Sequence, residues 1–168
     1  MTRVAFVALL ALAVVPVACS GPPADETYPI AAPPRDSFPQ VADVLHAHCG
    51  SLDCHGDSSR NLRIYGYNGL RINEVSGTGA TTAEEYEATY QAVVMLEPEK
   101  MAQVVLSGGR EPERLSLIRK GRGAEHHKGG TRLPAGSDGD RCIVSWLRNA
   151  VDADACAAAA EVPRPDTQ

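Results

Sequence analysis

The sequence predicts a small all-α domain with long Gly-rich loops. Three observations carry this. Apolar residues recur at helical spacing in several short windows, most of them opened by a capping residue or proline. No stretch shows a strong two-residue alternation. The windows are separated by irregular, glycine-rich segments, and long unstructured loops in a compact domain are usually functional.

The elements follow in order. Ser37 stands as an N-cap and Pro39 is tolerated in a first turn. Phe38, Val41, Val44, Leu45 and His48 then share a helical face, so a first helix covers about 38–49 and ends at Cys49-Gly50. Residues 50–80 are rich in turn formers and read as a loop that wraps something, with room for a short hairpin at most. Thr82 with Glu85 forms a capping box. It opens a helix over about 83–96 with Tyr86, Tyr90, Val93 and Val94 inward. Pro98 opens a short helix carrying Met101, Val104 and Val105, and Ser107-Gly108-Gly109 ends it. Pro112 opens another, with Leu115 and Ile118. Residues 120–139 are again irregular. A last helix, about 138–150, sets Cys142, Ile143, Trp146, Leu147 and Val151 on one stripe.

The 168 residues suit one domain. With 16 Lys+Arg against 21 Asp+Glu the chain has a net charge of −5, which argues against a nucleic-acid partner. No apolar run reaches the length of a membrane span. Two Phe, one Trp and five Tyr leave a core thin in large rings.

The N-terminus implies export. Arg3 precedes an apolar run from Val4 to Ala18, which reads as a signal peptide over 1–18. Val17-Ala18-Cys19-Ser20 resembles a bacterial lipoprotein signal, with Cys19 as the lipidated first residue; Pro16 departs from the usual pattern. An ordinary secretory signal with an incidental cysteine is the alternative. Residues 19–36 contain five prolines and read as an extended tether. The folded domain is then expected over 37–156, with 157–168 a frayed tail. The expected location is the periplasmic side of the cell envelope, lipid-anchored, and Ser20 favours the outer membrane.

The chemistry concentrates at Cys49-Gly50-Ser51-Leu52-Asp53-Cys54-His55-Gly56. Cys-x-x-Cys-His is the attachment signature of c-type haem, in which two thiols bond the porphyrin and the histidine ligates iron. Here four residues separate the cysteines, and Gly50 and Ser51 ease the bulge that this requires. Two other readings compete. In an oxidising compartment Cys49 and Cys54 form a disulfide. Alternatively His46, His48, Cys49, Cys54 and His55 bind zinc, although no second pair at zinc spacing exists. A haem also needs a sixth ligand, for which Met95, Met101, His126 and His127 are candidates. The two methionines lie at positions that suit core packing. The two histidines sit in a Gly-rich loop before the last helix, where a solvated surface pair is the plain reading. Arg63, Tyr65 and Arg71 in the wrapping loop are candidate partners of haem propionates.

The order of helix, Cys…Cys-His, loop, Ser-Leu-Ile-Arg-Lys, His-Lys-Gly-Gly and Cys-Ile-Val-Ser-Trp-Leu resembles a group of cytochrome c-like domains in exported proteins of myxobacteria and planctomycetes. The similarity covers roughly 38–150. It implies a small cytochrome c-like fold with one covalent haem c, thioether bonds at Cys49 and Cys54, and His55 as proximal ligand. It favours His127 as distal ligand, with His126, Met101 and Met95 behind it. It sets Trp146 in a terminal helix that crosses the first. Lys128 inside the His-Gly-Gly element and the four-residue spacer are departures. Cys142 and Cys156 are expected to form a disulfide, since both are exported and closely spaced.

The function these readings imply is electron transfer with a redox partner protein in the envelope, and no enzymatic activity. Paired histidine ligands imply a low potential, because a methionine ligand raises it. The alternative is a disulfide-stapled structural or binding lipoprotein without cofactor. A third reading is a haem sensor or peroxidase-like domain with an open sixth site.

Overall fold

A computed structural model describes residues 30–67, 69–73 and 79–161. The signal peptide, Cys19 and the first part of the tether lie outside the described residues, as does the end of the tail. Among the described residues the fold is helical, with no strand and a single bridge between Tyr65 and Leu70. The helices are α1 (Phe38–Cys49), α2 (Ala83–Val94), α3 (Pro98–Leu106), α4 (Ser116–Gly121), α5 (Asp138–Leu147) and α6 (Ala153–Ala160). A 3-10 turn covers Pro112–Arg114.

Helix α1 is the centre. Its Phe38, Val41, Val44 and Leu45 are fully buried, and α2, α5 and α6 pack around it. The position of Ser37 is that of an N-cap, but its side chain makes no capping bond and its hydroxyl is buried without a partner. Pro39 begins the helix without a lost hydrogen bond, as a first-turn proline can. The capping box of α2 is complete: Thr82 accepts from the Glu85 N–H and Glu85 from the Thr82 N–H. Glu85 also receives Arg71 at 2.6 Å, and both side chains are buried. This pair fastens the wrapping loop to α2. The loop adds Leu62 and Ile64 to the core instead of forming a hairpin.

Three expectations change. The helix opened by Pro112 divides, because Leu115 is extended (φ −80°, ψ 130°) between the 3-10 turn and α4. The last stripe also breaks: α5 ends at Leu147, and Asn149 takes a left-handed φ of 59°. Val151 lies beyond it. A further helix then follows, so the tail read from 157 is helical through Ala160. Asp152 caps α6 by accepting from the Ala155 N–H at 3.0 Å. The disulfide Cys142–Cys156 ties α6 to α5, and the His48 ring bonds the Ala159 carbonyl at 3.0 Å from α1.

The tether is also shorter than its sequence suggests. Its last prolines belong to the fold. Tyr90 donates its hydroxyl to the Pro33 carbonyl at 2.9 Å, and Trp146 its ring N–H to the Pro34 carbonyl at 2.8 Å. Phe38, Tyr90 and Trp146 form one aromatic cluster, with Phe38 at 5.0–5.2 Å from the other two ring centroids.

Glu97 joins α3 to α4. It precedes α3, yet its carboxylate accepts the Ser116 N–H at the start of α4 at 2.6 Å and pairs with Lys100. Burial raises this carboxyl, but Lys100 and Ser116 outweigh it and hold the group at about 2, against a usual 4.5. A carboxyl depressed in the folded state stabilises above its unfolded pKa and loses that contribution as pH falls through the folded one. Stability should therefore drop between about pH 4.5 and 2 more steeply in the wild type than in Glu97→Gln, measured by urea unfolding at each pH. Equal slopes would refute the assignment. Removing the disulfide as Cys142→Ala/Cys156→Ala should lower the unfolding free energy by about 3 kcal/mol, the chain-entropy value for a loop of this separation. A loss under about 1 kcal/mol would show α6 held by packing alone.

Candidate functional site

The Cys49–His55 segment leaves the end of α1 and folds into a tight turn. The Cys54 and Gly56 N–H groups both donate to the Ser51 carbonyl, at 2.9 and 3.0 Å, and the His55 N–H donates to the Cys49 carbonyl at 2.9 Å. The four-residue spacer is thus an ordered turn with Leu52 exposed on it. Glycine makes its closure possible. The Gly50 carbonyl oxygen lies where a Cβ on Gly56 or Gly69 would come within about 2 Å of it. No side chain fits at either position.

Opposite stands the segment 122–137 between α4 and α5. It is pinned at both ends. The Gly121 carbonyl accepts from the Arg132 and Leu133 N–H groups, at 3.0 and 2.9 Å, and Leu133 is buried. Arg122 grips the Asp140 carboxylate with two nitrogens at 2.7 and 3.0 Å, and Asp140 also accepts the Gly136 N–H. Within the segment the Gly130 N–H donates to the His127 carbonyl, with Gly130 at a left-handed φ of 68°. A Cβ on Gly129 would stand 2.8 Å from the His127 ring. The two glycines after Lys128 therefore let the His127 imidazole fold back toward its own backbone.

These two segments bring His55 and His127 together. Their ring centroids are 5.8 Å apart and their planes differ by 18°. Each ring turns Nδ1 to a backbone carbonyl: His55 to Leu62 at 3.0 Å, His127 to Gly130 at 3.5 Å. Neither Nε2 has a hydrogen-bond partner among the described residues. Holding one ring nitrogen with a carbonyl is how proteins fix the tautomer and orientation of a ligating histidine. Burial pulls His55 below the usual histidine range. Its bond to Leu62 opposes this, while His127, Arg60 and Lys120 add to it.

Two cavities flank the pair, of about 480 and 520 Å³, each within the range that holds a cofactor-sized molecule. His55, His127, Arg60 and Arg132 line both. Cys49, Leu62, Leu96 and Leu117 face the first, while Cys54 faces the second. Both cysteines are free thiols, so the Cys49–Cys54 disulfide of the competing reading is absent. Burial, with Cys54 beside it, pushes the Cys49 thiol up to about 12, against the pull of Arg132.

The other candidates fall elsewhere. Met101 is buried in the core, Met95 is exposed at the end of α2, and His126 is exposed and lines neither cavity. The zinc set is dispersed. His46 bonds the Tyr65 carbonyl, His48 holds α6, and no group of three or more His, Cys, Asp or Glu among the described residues is arranged to hold a metal ion. Arg63, Tyr65 and Arg71 line neither cavity. Arg71 is committed to Glu85, and the Tyr65 backbone to Thr89 and His46. The aromatic cluster also stands apart from both cavities, whose apolar wall is leucine. The sequence reading gave no role to Arg60 and Arg132, which carry no motif, nor to Lys120 at the end of the Ser-Leu-Ile-Arg-Lys element; the three come together only through the fold.

No family model, no curated protein and no solved structure matches this chain.

The raised Cys49 thiol has a chemical consequence, because the thiolate is the reactive form. In the folded chain, iodoacetamide at pH 8 should modify Cys49 at least about tenfold more slowly than in urea, read by peptide mass mapping. Equal rates would refute the buried thiol.

Proposed function

We propose that this chain is a lipid-anchored c-type cytochrome domain of the cell envelope, carrying one covalent haem for electron transfer. The observation that carries the reading is the meeting of His55 and His127. Two imidazoles from distant segments face each other, each steadied through Nδ1 and each with Nε2 free, beside the free thiols of Cys49 and Cys54.

The residues present fit such a group. Cys49 and Cys54 would hold the haem through thioether bonds, and His55 and His127 would ligate its iron. The helical packing of α5 on α1, with Trp146 at the crossing, suits a cytochrome c-like arrangement. When bound, the haem supplies one-electron redox chemistry. The chain supplies the rest. The Leu62 and Gly130 carbonyls orient the two imidazoles. Leu62, Leu96, Leu117 and Leu133 exclude water from one side. Burial holds His55 below the usual histidine range and so favours the neutral ring that can ligate. Ligation by both histidines would favour electron transfer over ligand activation and a low potential. The redox partner is an envelope protein. Anchoring through Cys19 on the periplasmic side, with the outer membrane favoured by Ser20, completes the reading.

The full chain expressed with a haem-maturation system should gain one haem mass after denaturation and show a reduced c-type α-band. Absence of both would leave the cofactor-free structural or binding lipoprotein. His127→Ala should convert a low-spin spectrum to a high-spin, ligand-accessible one. An unchanged spectrum would move the distal role to His126, Met101 or Met95. Wild type should partition into detergent and Cys19→Ala should not; equal partitioning would remove the anchor.

A further inference from the structure

We infer that Arg60 and Arg132 form a carboxylate-binding pair, which receives the acidic edge of a dianionic planar ligand between the two histidine segments. This rests on the cytochrome reading and deepens it by naming what recognises the ligand's charge.

Four side chains line both cavities, and two of them are these arginines. Each belongs to a different wall. Arg60 follows the cysteine–histidine turn, and Arg132 follows the His127 loop. Each is held from behind in the same way. Arg60 donates through Nε to the Cys54 carbonyl at 3.1 Å and through one terminal nitrogen to the Asp53 carbonyl at 3.3 Å. Arg132 donates through Nε to the Gly129 carbonyl at 2.8 Å. The rest of each guanidinium fork has no partner among the described residues. A fork is suited to take a carboxylate with two parallel bonds, and pre-anchoring lowers the entropy lost on binding.

The chain has an excess of acids, and Arg35, Arg71, Arg114, Arg119, Arg122 and Arg141 all pair with carboxylates. Among the described residues Arg60, Arg63, Arg110, Arg132 and Arg148 form no pair with a carboxylate, and of these Arg60 and Arg132 alone line the two cavities. They pair with none although Asp53, Asp57 and Glu97 share the cavity walls. Asp57 turns to the Ser59 N–H, and Glu97 to Lys100 and Ser116. Lys120, also on the first cavity, is 3.5 Å from Glu125. Two guanidinium forks, one on the half-buried Arg60 and one on the exposed Arg132, thus meet at one cleft with donors open to an incoming carboxylate. Haem carries two propionates, and Arg63 and Arg71 stand outside these cavities.

The test removes iron, so that His55 and His127 contribute no ligation. The full-length haem-free chain is titrated with protoporphyrin IX free acid and with its dimethyl ester, followed by porphyrin fluorescence. The wild type should bind the free acid about tenfold or more tightly than the ester, a ratio expected of charge-assisted bonds. Arg60→Gln and Arg132→Gln should each weaken the free acid and leave the ester unchanged. Arg60→Lys and Arg132→Lys, which keep charge, should recover part of the loss. Arg63→Gln, off the cavities, should match wild type. Equal affinity for acid and ester, no binding of either, or unchanged acid binding in the Arg60→Gln/Arg132→Gln double variant would overturn the pair. Far-UV circular dichroism and thermal unfolding accompany each variant. If a Gln variant unfolds, the acid-to-ester ratio in wild type decides alone. Failure here alongside a haem mass on the matured chain would leave the cytochrome reading standing. Loss of that mass with the acid preference intact would do the reverse.

Discussion

Whether His127 can reach His55 depends on one buried carboxylate. Asp140, in the first turn of α5, takes both nitrogens of Arg122 from the end of α4 and the N–H of Gly136 from the intervening segment. It closes the sixteen-residue span 122–137 into a fixed arch. Without it, the His127 segment would keep its ties to α4, the Arg119–Glu125 pair and the two bonds to the Gly121 carbonyl, and the plug of Leu133, but would lose its link to α5. The pair is well enclosed, with side chains 16% and 6% exposed, so loss of Arg122 would strand the Asp140 charge, typically at about 3–5 kcal/mol, whereas Arg122 without Asp140 would keep Glu113. The facing wall needs no ion pair. It is made by glycines, because the Gly50 carbonyl passes so close to Gly56 and Gly69 that only hydrogen fits. One wall is therefore held by charge and the other by the absence of side chains.

The same division governs the cysteines. Cys142 and Cys156 are joined and bury together under α5 and α6, where the bond secures a helix of little intrinsic hydrophobic contrast. Cys49 and Cys54 stay apart on a turn whose backbone bonds already close it. In an oxidising compartment two such neighbouring thiols face pressure to pair. Burial, which raises Cys49, lowers its reactivity toward that outcome. The turn thus presents two reduced sulfurs to different faces of one cleft, which suits attachment better than cross-linking.

Much of the fold was legible because its signals are local. The Thr82–Glu85 box, Pro39 and Pro98 at helix starts, and Ser107-Gly108-Gly109 at a helix end each act within one turn, and the helices follow them. The signals that failed are those that depend on partners. The alanine run of α6 has no amphipathic face to read, and its only local sign is the Asp152 cap. Pro33 and Pro34 dock through backbone carbonyls, which leave no trace in a side-chain pattern. At the site, the Cys…Cys-His element and the Gly-rich His loop could be seen as pieces. That His127 and not His126 faces His55 follows from the fold of Gly129 and Gly130 around its ring. Arg71 looked available and is not, because Glu85 serves both as capping-box member and as its ion-pair partner.

A histidine pair in a cleft can serve as a proton relay or as a ligand pair, and the surrounding charges separate the two. A relay histidine is usually oriented by a carboxylate, which stabilises the imidazolium that forms in turnover. Here both orienting acceptors are neutral backbone carbonyls, from Leu62 and Gly130. Burial opposes protonation of His55, and His127, Arg60 and Lys120 oppose it further. Among the described residues, the Leu62 carbonyl alone favours a protonated His55. The arrangement therefore favours a neutral imidazole with its Nε2 lone pair available, which is the form a metal binds. A cleft that sets two guanidinium forks beside a neutral His55 also suits a ligand that brings its own negative charge at the edge and a coordinating centre in the middle.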